Sequence, residues 1–212
     1  MAHPTRILFA ALLLVASSLP AIADTVNYQF TLDTTSQSGN YGYIDLGLNP
    51  GPLGGAQPIY GDIYDLSGAT LNPSDPLNAA DTFGTTGSLP DSLSMANSAP
   101  NNYLEGLTFG TTLTFDLTLS GSGVSLAGNA TSTTDTTFAV TFYDATISNT
   151  LFTVDPDTGA AALIDIDTSG TPTATGDLTV SPEPTSLRYL MCAGLAALLS
   201  AVRLRRSSKT VI

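Results

Sequence analysis

The sequence predicts an all-β protein: an antiparallel β-sandwich, of which a jelly roll is one form, with a helix at each end of the chain. Three observations in the central part of the chain predict it. Clusters of Thr, Ser, Gly, Asn, Asp and Pro separate short apolar runs, apolar residues alternate with polar ones within those runs, and helical periodicity is lacking. About nine strands result, without a fixed-period repeat, and an all-β architecture follows.

The first half of the chain predicts four strands followed by a long irregular segment. The clearest is the first, where Val26, Tyr28, Phe30 and Leu32 alternate with polar residues and so predict one buried face. A Pro/Gly turn follows the second strand, and the Asn-, Ser- and Pro-rich residues 72–102 predict a loop with a short helical piece. The four strands are expected at residues 26–34, 43–48, 57–66 and 69–71.

The second half predicts five strands, of which residues 113–119 show the cleanest alternation of apolar with polar side chains. Gly121 to Gly123 reads as a flexible turn. Asp155-Pro156-Asp157-Thr158-Gly159 predicts a hairpin loop with Gly159 in the left-handed conformation. The five strands are expected at residues 113–119, 138–142, 151–154, 161–167 and 178–180.

Residues 1–23 are typical of a secretory signal peptide. A short basic region ends at Arg6, an apolar region follows over residues 7–16, and Ala21-Ile22-Ala23 forms a small-x-small cleavage site. Cleavage after Ala23 would leave Asp24 as the new N-terminus. The N-terminal helix is therefore expected to direct export and to be removed.

Residues 181–212 contain three parts in a fixed order. Pro182-Glu183-Pro184 holds the chain extended, because proline fixes φ and restricts the residue before it. Residues 187–204 form an apolar stretch of about 27 Å as a helix, and arginines near its two ends can extend toward the interface. The basic end, residues 205–212, favours a cytoplasmic C-terminus. A permanent membrane anchor is the alternative interpretation of this tail.

This order of motif, membrane segment and basic end resembles the PEP-CTERM sorting signal of bacteria. The resemblance implies that Pro182, Glu183 and Pro184 are the sorting motif and that an exosortase-type membrane protease reads and cleaves the tail. Residue 181 is serine, where valine is more usual in the family. Residues 28–35, 111–119 and 140–167 are also similar to an uncharacterised, strand-rich group of PEP-CTERM proteins. That similarity implies a fold and a destination but no activity.

Charge is distributed very unevenly along the chain. The exported body, residues 24–180, holds 17 of the 18 acidic residues and no Lys, Arg, His, Cys or Trp. Contacts from cations to phosphates are therefore impossible there, which argues against nucleic-acid binding. The composition also excludes a Ser-His-Asp or Cys-His catalytic unit, a His/Cys zinc site and disulfides in the body.

One motif in the body suggests a cation. Asp165, Asp167 and Ser169 stand at relative positions 1, 3 and 5 of the first half of a calcium loop, with Gly170 at position 6. The acid that closes such a loop is missing, since position 12 is Gly176. In the alternative interpretation, these acids lie on the solvent face of a strand and in the turn that follows it. No cofactor is therefore expected, and calcium is the one ligand to be tested.

Other candidate residues are less specific. A glycosidase would need a pair of carboxylates, and the candidates are Asp62 with Asp65, or Glu105 with a nearby aspartate. The sequence spacing does not select one of these pairs. Four tyrosines would form a platform on which sugars stack, although tyrosine in strands is more often explained by β-propensity and partial burial. These tyrosines are Tyr41, Tyr43, Tyr60 and Tyr64.

The sequence thus predicts three regions: a signal peptide (1–23), an exported β-sandwich domain (24–180) and a sorting tail (181–212). The expected function is that of an exported bacterial surface or extracellular-matrix protein without catalysis of its own. Its expected partners are the secretion machinery, the sorting protease, the inner membrane before processing, and a polysaccharide. A carbohydrate-binding module is the alternative, and a glycosidase-like enzyme is a third.

Overall fold

The computed structural model describes residues 25–51, 57–125 and 135–181. Within these ranges it contains eleven strands, one α-helix and one 3₁₀ turn. The helix is α1 (Pro76–Asp81), and the 3₁₀ turn is Thr35–Gln37. The strands are β1 (Val26–Asp33), β2 (Tyr41–Pro50), β3 (Tyr60–Leu71), β4 (Thr86–Ser88), β5 (Ser92–Ala96), β6 (Tyr103–Ser120), β7 (Thr136–Asp144), β8 (Thr150–Leu151), β9 (Ala162–Ile166), β10 (Pro172–Gly176) and β11 (Leu178–Ser181).

All described strands belong to one antiparallel sheet, which confirms the all-β prediction. The main path of hydrogen-bonded neighbours is β10-β9-β7-β2-β6-β3-β5-β4. Off this path, β1 pairs with β6 and β11, and β8 pairs with β7. No helix within the described ranges has the length and apolar character needed to cross a membrane.

β6 organises the sheet because two strands share one of its edges. β2 pairs with its residues 103–108, β1 pairs with its residues 112–119, and β3 runs along the opposite edge. Thr34 marks the boundary between β1 and β2, since its amide donates to Thr111 O (3.0 Å) and its hydroxyl to Gly110 O (2.9 Å). The sheet therefore forks at residues 109–111 of β6.

β3 is irregular where it passes this fork. Its register against β6 shifts twice between Tyr64 and Ala69, and Asp65 and Gly68 have φ angles of 57° and 82°. A Cβ on Gly68 would lie 1.7 Å from the carbonyl oxygen of Thr112, so only glycine fits. The prediction of two strands at 57–66 and 69–71 is therefore wrong in its division: the chain continues as one bulged strand.

The core joins strands that are not paired with each other. The Phe30 ring on β1 stacks on Phe115 of β6 at 4.7 Å and lies 6.1 Å from Phe142 of β7, which has no ladder with β1. Phe109 and Phe152 pack against Phe142 at 5.9 and 5.8 Å. The alternating apolar residues of β1, β6 and β7 thus meet in one aromatic cluster, as the period-two pattern predicts.

The helix α1 takes the place of a strand at an otherwise open part of β6. Asp75 caps α1 by accepting from Leu77 N (2.9 Å), and Pro76 follows as a favourable first residue. Asn78 Oδ1 then accepts from Gly106 N (2.8 Å), and the Thr82 hydroxyl accepts from Leu104 N (3.1 Å) and donates to Leu104 O (3.3 Å). These side chains satisfy backbone groups that β3 no longer reaches. The short helical piece predicted in residues 72–102 is confirmed.

Three strands, β4, β5 and β10, were not predicted. Because β4 and β5 lie within residues 72–102, the loop predicted there is wrong apart from its helical piece. β4 and β10 contain few apolar residues, whereas β5 alternates Leu93 and Met95 with serine but is only five residues long and lies in a segment rich in Asn, Ser and Pro. Gly159 has the expected positive φ of 77°, but residues 155–159 do not close a hairpin between paired strands. β8 and β9 both pair with β7, so the loop connects two strands that pair with different parts of the same neighbour.

Candidate functional site

The two predicted processing sites lie outside the described residues. These are Ala21 and Ala23 at the signal peptide, and Pro182, Glu183 and Pro184 with the segments 187–204 and 205–212 in the tail. The structure does place the chain just beside them. β11 ends at Ser181, one residue before the motif, and Ser181 lies opposite Asn27 near the start of β1.

The half calcium loop forms the turn between β9 and β10. Asp165 is exposed on β9 and accepts from the Thr137 hydroxyl at 3.0 Å. Asp167 Oδ1 accepts from Ser169 Oγ (2.6 Å), Ser169 N (2.9 Å) and Thr171 N (3.0 Å). These hydrogen bonds, that of the Ser169 side chain first, hold the pKa of Asp167 below its usual value. Asp167 and Ser169 therefore lie in one turn, whereas Asp165 lies on β9 and is hydrogen-bonded to Thr137 of β7, and Asp167 Oδ1 already serves to close that turn.

Metal binding at this turn stays a prediction. Within residues 25–51, 57–125 and 135–181, no three or more His, Cys, Asp or Glu side chains form a group that could hold a metal ion. Two further acids, Asp155 and Asp157, lie in the loop between β8 and β9. Asp155 there accepts from Asp157 N (3.0 Å) and the Thr158 hydroxyl (2.9 Å).

The acids considered for glycosidase chemistry lie in three different environments. Asp62 is half-buried on β3 and accepts from the Ser94 hydroxyl at 2.6 Å. Asp65 is exposed in the bulge of β3, with its backbone in the left-handed region. Glu105 is only 4% exposed. Because the Glu105 side chain is enclosed, a substrate would not reach it without local opening.

Glu105 belongs to a buried polar network at the start of β6. Its Oε2 accepts from the Tyr103 hydroxyl and its Oε1 from Asn78 Nδ2, both at 2.9 Å. The Tyr103 hydroxyl in turn accepts from Leu89 N at 3.1 Å. Burial raises the pKa of Glu105, because hydrogen bonds replace only part of the lost hydration. This network fixes α1 and β6 to each other.

The four tyrosines lie on two different strands, and of the four only Tyr41 and Tyr43 are in ring contact among the described residues. Tyr41 and Tyr43 lie on β2 with rings in edge-to-face contact at 5.5 Å, and both hydroxyls donate to Asp75 Oδ2, at 2.5 and 3.1 Å. Tyr43 is only 3% exposed and Tyr41 is half-buried, and both hydroxyls are engaged with Asp75, so these two tyrosines anchor the α1 cap. Tyr60 and Tyr64 lie on β3, across β6 from the first pair.

Asp45 is a partly buried acid near α1 that lacks a full set of hydrogen bonds. It lies on β2 opposite Leu104, and its buried Oδ1 has no hydrogen-bond partner among the described residues. Burial raises the pKa of Asp45 to about 6, a hydrogen bond from Asn102 lowers it, and the charge of Asp81 raises it further. Asp45 therefore opposes folding at neutral pH.

Polar side chains surround an open depression on the face of β3, β6, β1 and β11. Its volume is about 430 Å³, within the range of small-ligand sites, which is roughly 300–1,000 Å³. The register places Tyr64, Asp116, Gln29 and Thr179 side by side in one row across the four strands. The depression and the next row together define what we call the polar face: Asn27, Gln29, Asp62, Tyr64, Asp116, Thr118 and Thr179.

Hydrogen bonds hold the side chains of the polar face in place. The Thr118 hydroxyl donates to Asn27 Oδ1 (2.7 Å) and lies 3.3 Å from the Tyr64 hydroxyl. Gln29 Nε2 donates to Asp116 Oδ1 (3.3 Å). The sequence singled out only Asp62 and Tyr64 of this face. Alternation in β1 and β6 could have shown that Gln29 and Asp116 point outward, but not that these strands are neighbours.

No family model matches the chain, and comparisons with curated proteins and with solved structures likewise find no match.

Proposed function

We propose that the chain is an exported bacterial surface or extracellular-matrix protein that is sorted through a PEP-CTERM-like tail and has no catalytic activity of its own. A signal peptide would direct it to the secretion machinery. An exosortase-type protease would then release it from the inner membrane, leaving the body at the cell surface or outside the cell within a polysaccharide matrix.

The single observation that carries this proposal is the position of the last described strand. β11 ends at Ser181, and Pro182-Glu183-Pro184 follows at once. Leu178 of β11 is 8% exposed and belongs to the core, so the folded body extends up to the motif. A protease at the membrane would therefore meet a short extended segment attached to a completed fold.

The distribution of charge supports the same proposal. Apart from Arg6, every basic residue lies at position 188 or later, whereas the body contains 17 acids and no base. Such a body is repelled by anionic lipid surfaces, and the basic end of the tail is attracted to the cytoplasmic side. Body and tail are therefore suited to opposite sides of a membrane.

We further propose that the body is a β-sandwich, with jelly roll as one possible topology. The fork of β6 and the contact between Phe30 and Phe142 support this, because they bring β1 and β7, which are not paired with each other, onto one core. In such a sandwich, β6 and the bulged β3 would pass from one layer to the other.

Replacement of Pro182-Glu183-Pro184 by three alanines tests the sorting proposal. In a host that has the sorting protease, the wild-type protein is expected to lose the segment 187–212 and to leave the membrane pellet. The triple variant is expected to keep that segment and stay in the inner membrane. Thr185→Ala with Ser186→Ala is the matched control and should be processed. If wild type and triple variant keep the segment equally, the tail is an ordinary anchor.

A further inference from the structure

The polar face lies mostly on strands that are paired on both sides, and only Thr179 lies on the edge strand β11. β1 is paired on one side with β6 and on the other with β11, and β6 is paired with β1 and β3. The backbone groups of these strands are therefore engaged in ladders. A ligand that lies over β1 and β6 cannot add to them as a further strand, so it must be recognised through side chains.

The side chains of the polar face suit a ligand rich in hydroxyl groups. Asp116 supplies a carboxylate, Gln29 an amide, and Thr179 a hydroxyl, all next to one another across three strands. Tyr64, on the other side of Asp116, adds an aromatic ring that is half-buried and held near Thr118. An aromatic ring beside paired acceptors and donors matches the apolar face and polar rim of a sugar ring.

The negative charge of the body favours a neutral sugar over an acidic one as the ligand. The body has 17 acidic residues and no cation, and Asp116 lies in the depression itself. A uronic-acid or sulfated glycan would be repelled by this field and would find no Lys or Arg to pair with. A neutral glycan meets no such penalty.

The face also extends beyond the depression. Tyr60 is 48% exposed and lies on the same side of β3 as Asp62 and Tyr64, since side chains alternate along a strand. Tyr60 and Tyr64 are four positions apart, or about 14 Å along the strand. Two rings at that separation fit an oligosaccharide better than a single sugar.

We propose that the polar face binds a neutral oligosaccharide, with the Tyr64 ring against one sugar and Asp116 and Gln29 hydrogen-bonded to its hydroxyls. Tyr60 contacts a further sugar unit of the same chain. This binding goes beyond sorting and does not depend on tail cleavage.

The test uses the full chain in a detergent without a sugar head group, on an array of neutral and uronic-acid-containing oligosaccharides. The variants are Tyr64→Ala, Tyr64→Phe and Asp116→Asn, with Asp157→Asn as the matched control for charge, because Asp157 is exposed on the β8–β9 loop. Melting temperatures are measured for all variants, so that a loss of fold is separated from a loss of binding.

The expected result is binding of at least one neutral glycan and of no uronic-acid glycan. Tyr64→Ala and Asp116→Asn should each weaken that binding at least fivefold at unchanged melting temperature. Tyr64→Phe should weaken it less than Tyr64→Ala does, and Asp157→Asn should leave it unchanged. If the wild type binds no neutral glycan, prefers uronic-acid glycans, or binds as well after Tyr64→Ala and Asp116→Asn, the proposal is overturned. If a variant loses its fold, Tyr64→Phe and the wild-type array result still decide it.

Discussion

Asn27 and Ser181 lie directly opposite each other in the antiparallel pair of β1 and β11. The start of the described body and its end therefore leave the same end of the sheet, side by side. β11 is bonded only to β1 among the described strands, and it is only four residues long. The strand that precedes the proposed sorting motif is thus a short edge strand whose attachment depends on β1 and on the core contact of Leu178.

Leu178→Ala is expected to destabilise the protein by about 2 kcal/mol, at the lower end of buried Leu→Ala changes because Leu178 lies on an edge strand. The reason is the loss of the side chain that holds β11 on the core. Chemical denaturation of the full chain measures the change, with the exposed neighbour Thr179→Ala as control, expected within about 0.5 kcal/mol. Equal stability of Leu178→Ala and wild type would show that β11 is not held by this contact.

Phe142→Ala is expected to cost about 3–5 kcal/mol, because Phe142 has no exposed surface and lies among Phe30, Phe109 and Phe152. At this chain length, the melting temperature should fall by roughly 10 °C. Phe83→Ala is the control, since Phe83 is 54% exposed, and its effect should be small. Similar losses for the two variants would mean that the aromatic cluster is not the centre of the core.

Asp45→Asn is expected to stabilise the protein at neutral pH. The folded pKa of Asp45 is about 6, above the ordinary value of 3.8, so the native state binds more protons than the unfolded state between these values. Stability due to Asp45 therefore falls as pH rises through this window and stays low above it. The gain on substitution should be about 1–2 kcal/mol at pH 7.5, since Asp45 keeps some solvent contact, and close to zero near pH 3.5.

The control for Asp45→Asn is Asp157→Asn, which removes the same formal charge from an exposed loop. Denaturant unfolding of both variants and the wild type at the two pH values gives the comparison. Two outcomes would contradict the assignment of a buried, poorly solvated carboxylate. One is a gain in stability for Asp45→Asn that is no larger at pH 7.5 than at pH 3.5, and the other is an equal gain for Asp157→Asn.

Salt is expected to raise the melting temperature, because the body has 17 acidic residues and no basic one to offset their repulsion. A calcium site at Asp165, Asp167 and Ser169 would add to this by mass action on the folded state. The measurement compares millimolar calcium with sodium at matched ionic strength, in the wild type and in Asp165→Asn. A calcium increment that Asp165→Asn removes would establish the site, and equal shifts in both salts would leave only screening.

Sequence reasoning succeeded where one face of a strand is buried and the other is wet. Val26–Asp33 and the second half of β6 follow that pattern, and both were predicted. It failed for the first half of β6, because Leu104 and Glu105 are both buried on successive positions and the alternation disappears. It also failed at Gly68, where a bulge keeps the chain in one strand although the residue pattern predicts two.

The candidate binding site could be predicted only in part from the sequence. Asp62 and Tyr64 were singled out by residue type, but the row from Tyr64 through Asp116 to Gln29 depends on which strands are neighbours. Those pairings join residues more than 50 and more than 80 positions apart along the chain. Alternation fixes the face on which a side chain lies, whereas strand order is decided by packing of the whole core.

The central claim is that the chain is exported and cut at both ends, and the intact mass of the protein in its native host tests it most directly. The account predicts a species that begins at Asp24 and lacks residues 187–212, together with the mass of any group attached at the new C-terminus. A mature species that retains Met1, or that retains the segment 187–212 in the membrane fraction, would contradict it.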